Sequence, residues 1–497
     1  MSFNTTEQQQ YIDASGKGAH QYVESLAGTG KTTTAIAMCN NHSELSSQMI
    51  VFAKRNSEET QKVLPSNATC STRHSMCLKW LYRGKVRPKV NKFTGYNDRF
   101  DSIGKDLSCI WKVNPDIDYR KVKKEDPKHK DLFEDSANAE DLLGLVKNTY
   151  INPSLEDVCS LADTHGVSFI QQGIPETIVL ALALSDSIRD EITFDDMCRF
   201  PVLDKRIFVG YSVPDIFILD EAQDSNPITI ALMGLIKDKC ETHLFGDKWQ
   251  SIQGFTGADN NAMDKLSSTI TPSDLHKLTI NFRCSKAVIE EARRCHPHID
   301  IKAWDGAREG FVKNITPEEV SVLMRPGDCV IARYNKIIIP MAFKLLREGK
   351  RASIQGNKDF IKSIKRTVAS IKANNIIDFS DKLNAFRNRQ LEKATTESGR
   401  EIINDKFDTI EMFADNCKTP EDIPKYIDDL FSEQVSDYTL STAHRSKGLQ
   451  FTNIFMMDSE NFTAKQAKLQ WQLQQEDNLQ YVARTRAQDG LYYVNAK

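Results

Sequence analysis

Apolar and polar positions along the chain follow two rhythms. Short apolar runs with polar flanks read as strands: His20-Gln-Tyr-Val-Glu-Ser25, then Gln48-Met-Ile-Val-Phe-Ala53, Asp215-Ile-Phe-Ile-Leu219 and Thr242-His-Leu-Phe-Gly-Asp247. Helix-compatible runs such as Thr33-Thr-Ala-Ile-Ala-Met38 separate them. Over 1–95 and 205–275 this alternation predicts an α/β domain with a parallel sheet. Residues 96–204 lose the alternation and become mostly helical and charged, as an insertion would. A second α/β region starts near 276 and includes the apolar Asp328-Cys-Val-Ile-Ala-Arg333. It covers 276–356, is interrupted by a polar helical stretch over 357–432, and resumes over 433–497. Its later strands are expected around Tyr438-Thr-Leu-Ser-Thr-Ala-His444, Phe451-Thr-Asn-Ile-Phe-Met-Met-Asp458 and Gly490-Leu-Tyr-Tyr-Val494. The pattern describes two α/β halves, each with a helical insertion, the second one reduced.

Between the first strand and first helix lies Ser25-Leu-Ala-Gly-Thr-Gly-Lys-Thr32. In that context a glycine-rich turn becomes a phosphate cradle. Gly28 and Gly30 let backbone N–H groups of Ala27, Thr29 and their neighbours converge on the β- and γ-phosphates, and the helix N-terminus at Thr33 adds its positive end. Lys31 is placed to reach phosphate oxygens, and the Thr32 hydroxyl to sit on Mg²⁺. The strict pattern has glycine at position 25, where this chain has serine. A chance Gly-rich turn is the bland alternative, and a partner motif decides between them. Asp215-Ile-Phe-Ile-Leu-Asp-Glu-Ala-Gln-Asp224 supplies it: a buried strand ending in Asp220-Glu221. Asp220 can hold Mg²⁺ through oxygen, and Glu221 can orient the water that attacks the γ-phosphate. Alone, such a pair is usually a solvated loop; after a phosphate turn it points to ATP hydrolysis.

Further motifs follow in order. Thr5-Thr-Glu-Gln-Gln9 resembles an adenine-reading segment, with Gln8 at the expected place, and Leu219-Asp-Glu-Ala-Gln-Asp224 resembles the second motif of superfamily 1 helicases. Gly246-Asp-Lys-Trp-Gln-Ser-Ile-Gln-Gly-Phe-Thr-Gly-Ala258 resembles GDxxQSIYxFRGA, and Leu278-Thr-Ile-Asn-Phe-Arg283 resembles LxxNYR. Thr442-Ala-His-Arg-Ser-Lys-Gly-Leu-Gln-Phe451 resembles TxHxxKGLEF, and Tyr481-Val-Ala-Arg-Thr-Arg-Ala487 resembles YVAxTRA. Together they resemble the UvrD/Rep/PcrA branch. Val51-Phe-Ala-Lys54 with Thr72-Arg-His-Ser75 looks closest to its F-box DNA helicase subgroup. The resemblance implies two RecA-like P-loop NTPase domains, ATP and Mg²⁺ as cofactors, and 3′→5′ movement on single-stranded DNA with unwinding at single-strand/duplex junctions.

It also implies roles for single residues. Gln250 would sense the γ-phosphate through its amide. Arg283 and Arg486 would bring guanidiniums to the transferring phosphoryl group, a contribution worth ~10³-fold or more in rate; the alternative for each is a surface ion pair. Phe282 stands where the family has tyrosine, which keeps adenine stacking and loses the hydroxyl. Gln450 replaces a glutamate that contacts the nucleotide sugar, and an amide still hydrogen-bonds ribose. Gln253-Gly254 and Thr256 depart from the family on its DNA side. Single-stranded nucleic acid is held by backbone charge and aromatic platforms. Candidates for that task at family positions are Phe52, Lys54, Thr72, His74, Phe255 and His444, with Trp249, which has no strict family counterpart, beside them. For Phe52, packing at a strand end is an equal alternative.

Composition changes little. With 497 residues and net charge −3, the chain has room for several domains and lacks a global basic footprint; a local groove between domains can still be positive. Mean hydropathy of −0.46 and the lack of a long apolar run predict no membrane span. The start, MSFNTTEQQQ, has no secretion-signal pattern, and eleven cysteines without CxxC spacing suggest free thiols in a reducing cytoplasm. Cys284, Cys295, His296 and His298 fit no common zinc spacing. The basic run 119–130 reads more readily as a solvated loop than as a phosphate contact. A nearby alternative is an RNA motor. Another is an ATP-driven translocase or protein-displacing factor that does not separate strands.

Overall fold

The computed structural model of the protein describes residues 5–52, 54–82, 88–90, 105–113, 130–165, 167, 173–252, 261–355, 358–393, 397–430, 437–464, 467 and 470–495. It divides into two compact units, one of residues 1–25 and 30–278, the other of residues 26–29 and 279–497.

The first unit is built on a six-stranded sheet. Its strands are β1 (His20–Ser25), β2 (Ser47–Val51), β3 (Ala68–Thr72), β4 (Ile216–Leu219), β5 (Glu241–Gly246) and β6 (Ser273–Leu278). They lie in the order β3-β2-β4-β5-β1-β6, and every neighbouring pair is parallel. Parallel strands need crossovers that cover both faces, so the central strands bury both sides. β4 shows this directly. Ile216 and Ile218 pack with Val23, Phe245, Tyr11 and Met38 on one side, whereas Phe217 and Leu219 join Leu232, Met233 and Leu266 on the other. Because all strands run the same way, the turns after β1, β4 and β5 leave from one edge, where ligands of open α/β sheets bind.

Between β3 and β4 the chain forms a helical insertion, including Lys105–Val113, Lys130–Thr149, Leu155–His165, Ile174–Ser187 and Phe194–Leu203. Trp111, Leu142, Leu143 and Ile178 anchor its own core. A buried ion cluster ties three of these helices together. Lys147 Nζ lies 2.6 Å from Asp106 and 2.7 Å from Asp196, and Lys105 Nζ lies 2.8 Å from Asp196. Removing one partner would strand a buried charge, so the cluster is costly to break.

The second unit repeats the plan. β7 (Phe311–Ile315), β8 (Cys329–Ala332), β9 (Ala352–Gln355), β10 (Tyr438–Thr442), β11 (Phe451–Met457) and β12 (Ala487–Val494) form a parallel sheet in the order β7-β12-β11-β8-β10-β9. Helices Lys358–Ser370, Ile376–Lys393, Glu397–Asp415 and Ile423–Leu430 are inserted between β9 and β10. Their Phe379, Phe407 and Phe413 share one core with Val330, Ile354, Leu440 and Phe455 of the sheet. The fold is therefore α/β, with two parallel sheets that each carry a mainly helical insertion.

Candidate functional site

At the end of β1 the chain turns through the glycine-rich loop into the helix Lys31–Asn41. Gly30 is the cap of that helix, with φ of 81°, a left-handed conformation that suits glycine. Gly28 also has positive φ, and a Cβ there would fall 2.4 Å from Asn281 Nδ2. Serine at position 25 is still inside the strand, fully buried, upstream of the turn that needs glycine. Thr29 is buried with its hydroxyl donating to Leu26 O, and Thr33 is exposed on the first helical turn.

The structure brings Lys31, Thr32, Asp220 and Glu221 together. Thr32 Oγ1 donates to Asp220 Oδ2 at 2.8 Å, and Lys31 Nζ lies 3.8 Å from Glu221 Oε2. Burial and the adjacent Glu221 carboxylate push Asp220 up to about 6, opposed by Lys31 and the Thr32 hydroxyl. Two carboxylates and a hydroxyl gathered around the buried Asp220 are hard oxygen donors, the ligand type that suits Mg²⁺. Glu221 itself adopts positive φ of 54°, uncommon for a non-glycine residue and concentrated at functional sites.

A polar chain runs from Glu221 to Gln250. Gln223 Nε2 donates to Glu221 Oε2, while Gln223 Oε1 accepts from Asp247 N at 3.0 Å. Asp247 in turn accepts from Gln250 Nε2 at 2.7 Å. Burial raises the Asp247 carboxyl above its ordinary range, with Lys31 opposing. Sequence reasoning named Gln250 and missed Gln223 and Asp247, whose polar side chains on a buried sheet edge were the available signal. Gln8 is buried too: it closes a capping box with Thr5, and its amide nitrogen lies near Gly30.

In the second unit Asn281 links the glycine-rich turn to Phe282 and Arg283. Asn281 Nδ2 donates to Ala27 O at 2.5 Å, and Phe282 N donates to Gly28 O at 2.9 Å. Asn281 Oδ1 accepts from Arg283 N and Cys284 N. Tyr481 OH accepts from Ala27 N at 3.1 Å. Phe282 is exposed, and Trp304 lies beside it with ring centroids 6.3 Å apart. Arg283 is half-buried, with Nη1 3.4 Å from Thr485 O. Arg486 is buried and is no surface ion pair; it donates to Val482 O, Leu449 O and Thr485 Oγ1. Gln450, next to Leu449, is exposed. His444 is half-buried, and burial together with Arg333 and Arg445 lowers it to about 3, so its imidazole is neutral.

Two of the candidate strand contacts, Phe52 and His74, lie on a cavity of about 230 Å³. It is lined by Phe52, Arg73, His74 and Phe194, and reaches Asp220 and Glu221. Phe52 is 54 % exposed, which excludes core packing for it. His74 stacks on Phe194 with centroids 3.8 Å apart and planes 21° from parallel. Phe194 is 52 % exposed and was missed from sequence; an aromatic directly after a Thr193 cap, on a polar first turn, was its signal. Thr72 Oγ1 accepts from Ser75 N, starting the helix that carries His74. Lys54 is exposed and pairs with Glu58, and Trp249 lies under the Lys248 ammonium. Phe255, Gln253, Gly254, Thr256 and residues 119–129 of the basic run lie outside the described residues. No helix among the described residues is long and apolar enough to cross a membrane.

A family model described as UvrD-like helicase C-terminal domain matches residues 85–497. The chain is also similar to F-box DNA helicase 1 of Gallus gallus, at 23 % identity over 528 residues. That match covers 97 % of this chain and 48 % of the relative, so the chain spans about half the relative's length.

Proposed function

The chain belongs to the UvrD-like helicase family, and from that premise we propose an ATP-dependent DNA helicase that moves 3′→5′ on single-stranded DNA and unwinds duplex at junctions. Replication, recombination or repair is its setting. The observation that carries the ATPase part is the 2.8 Å Thr32–Asp220 hydrogen bond, which joins phosphate loop and acidic strand end.

In this reading the backbone of 27–30 and the Lys31 ammonium hold the β- and γ-phosphates. Thr32 and Asp220 would hold Mg²⁺, which when bound neutralises charge on the phosphate oxygens. Glu221 accepts a proton from the attacking water, and Gln223, which already donates to it, fixes its carboxylate. Gln250 reads the γ-phosphate through its amide, and the Asp247–Gln223 chain ties it to Glu221. Phe282 and Gln8 hold the adenine and Gln450 the ribose. Arg283 and Arg486 stabilise the charge that develops in transfer. For Arg486 that requires its guanidinium to leave the carbonyls of Val482 and Leu449, a cost that ATP binding repays.

On the DNA side, Phe52, His74 and Phe194 offer aromatic faces on which bases stack, with Lys54, Thr72, Trp249, Phe255 and His444 along the strand. The test is ATPase activity with and without single-stranded DNA, in wild type and Lys31→Ala. Stimulation by DNA in the wild type and lost turnover in the variant support the reading. Equal turnover in both removes it.

A further inference from the structure

The two rings of the His74–Phe194 stack come from distant parts of the first unit, and each has a chain neighbour held by the same pair of asparagines. Arg73, beside His74, donates through Nη1 to Asn226 Oδ1 at 3.3 Å and also to Thr229 Oγ1. Asp195, beside Phe194, accepts from Asn148 Nδ2 at 2.8 Å. The asparagines join directly: Asn226 Nδ2 donates to Asn148 Oδ1 at 2.8 Å.

Asn226 is also the cap of the helix Pro227–Lys237, its Oδ1 accepting from Thr229 N at 2.9 Å. It follows Asp220-Glu221 through one short 3₁₀ turn, Ala222–Asp224. Ser225 N donates to Ala222 O at 3.2 Å, so little slack lies between the acidic pair and the cap. Asn226 is buried and Asn148 half-buried, which makes the bridge a well-shielded hydrogen bond.

We infer that Asn148 and Asn226 are positioning residues that hold the His74–Phe194 stack in register with the Asp220–Glu221 turn. The inference rests on the proposed reading that this stack receives a base of the strand. A shift of the acidic pair on nucleotide binding is then carried to both rings through one bridge, without either asparagine touching ATP or DNA.

The variant Asn226→Asp isolates the bridge. It keeps the capping oxygen and the acceptor for Arg73, removes the donor to Asn148, and adds a carboxylate charge that the Arg73 guanidinium faces. Turning the Asn148 amide around does not restore it, because its carbonyl would then face the Asp195 carboxylate. The measurement is the concentration of an oligo(dT) strand that half-activates the ATPase of the full chain. Losing one buried hydrogen bond predicts a rise of about three- to tenfold in N226D, with turnover at saturating DNA and thermal midpoint nearly unchanged. Asn148→Ala, which also removes the donors to Asp195 and Gly144, should raise the activating concentration at least as far, and the double variant should be no worse than Asn148→Ala, because the bridge is already gone there. A merely structural role would instead lower the thermal midpoint and leave the activating concentration in place. If N226D does not fold, N148A, which leaves the Asn226 cap intact, carries the test. An unchanged activating concentration in the folded variants overturns the bridge. A wild-type ATPase indifferent to oligo(dT) overturns the functional reading instead.

Discussion

The Gln223 side chain touches two site elements at once: its Nε2 donates to Glu221 and its Oε1 accepts from Asp247 N. An amide with one donor end and one acceptor end thereby fixes the Glu221 carboxylate relative to the segment that carries Gln250. In taking that hydrogen bond Glu221 acts as an acceptor, the role a general base plays.

Replacing Glu221 with glutamine should therefore trap ATP. The amide is nearly isosteric but cannot take the proton, and turnover should fall by ~10²–10⁴-fold while ATP binding persists. Rapid filtration with radiolabelled ATP measures both; turnover close to wild type would remove Glu221 from the chemistry.

The arginines make a different prediction. Arg283→Lys and Arg486→Lys retain charge but lose the planar fork, so kcat should fall roughly 10²-fold or more with little change in ATP affinity. Steady-state ATPase at saturating single-stranded DNA reads this. A kcat near wild type in both variants would mean that neither arginine serves the transition state.

Phe194 gives the strand side its test. Phe194→Ala should weaken binding of single-stranded DNA by ~1–3 kcal/mol, and Phe194→Trp should restore most of it, as stacking on a base requires. Fluorescence anisotropy with a labelled oligonucleotide measures the affinity. Loss in both variants would point to packing against His74 as its whole role.

His296 links stability to pH. Burial, and then the Arg484 charge, lower it to about 4 from an ordinary 6.5. Between those values the unfolded chain binds a proton that the folded chain refuses, so stability rises with pH there. Acidification from pH 6.5 to 4 should cost on the order of 2 kcal/mol from this residue. His296→Gln should flatten that part of the profile in urea titrations at stepped pH; an unchanged slope would assign the loss to other groups.

Much of this site could be read in the sequence because its motifs are local. The phosphate turn and the acidic strand end each occupy a few consecutive residues, and β4 is an unbroken apolar run between polar residues. Other parts were hidden for a physical reason. β6, Ser-Asp-Leu-His-Lys-Leu, is an edge strand with mostly exposed side chains, so it carries no apolar period and reads as connection. Asn281 and Gln223 sit inside legible motifs, but their partners lie as far as 254 positions away; Asn148 reaches partners 47 and 78 positions away, and nothing in its own neighbourhood announces that. Phe194 looks like an ordinary helix-start aromatic until His74 is placed against it.

The most direct test of the account is unwinding of duplexes that carry a single-stranded tail on only the 3′ or only the 5′ end. With ATP and Mg²⁺ the protein should separate the 3′-tailed substrate, leave the 5′-tailed one paired, and do neither as Lys31→Ala. Preference for the 5′ tail would contradict the direction of movement. DNA-stimulated ATP turnover with no strand separation on either substrate would contradict helicase action itself.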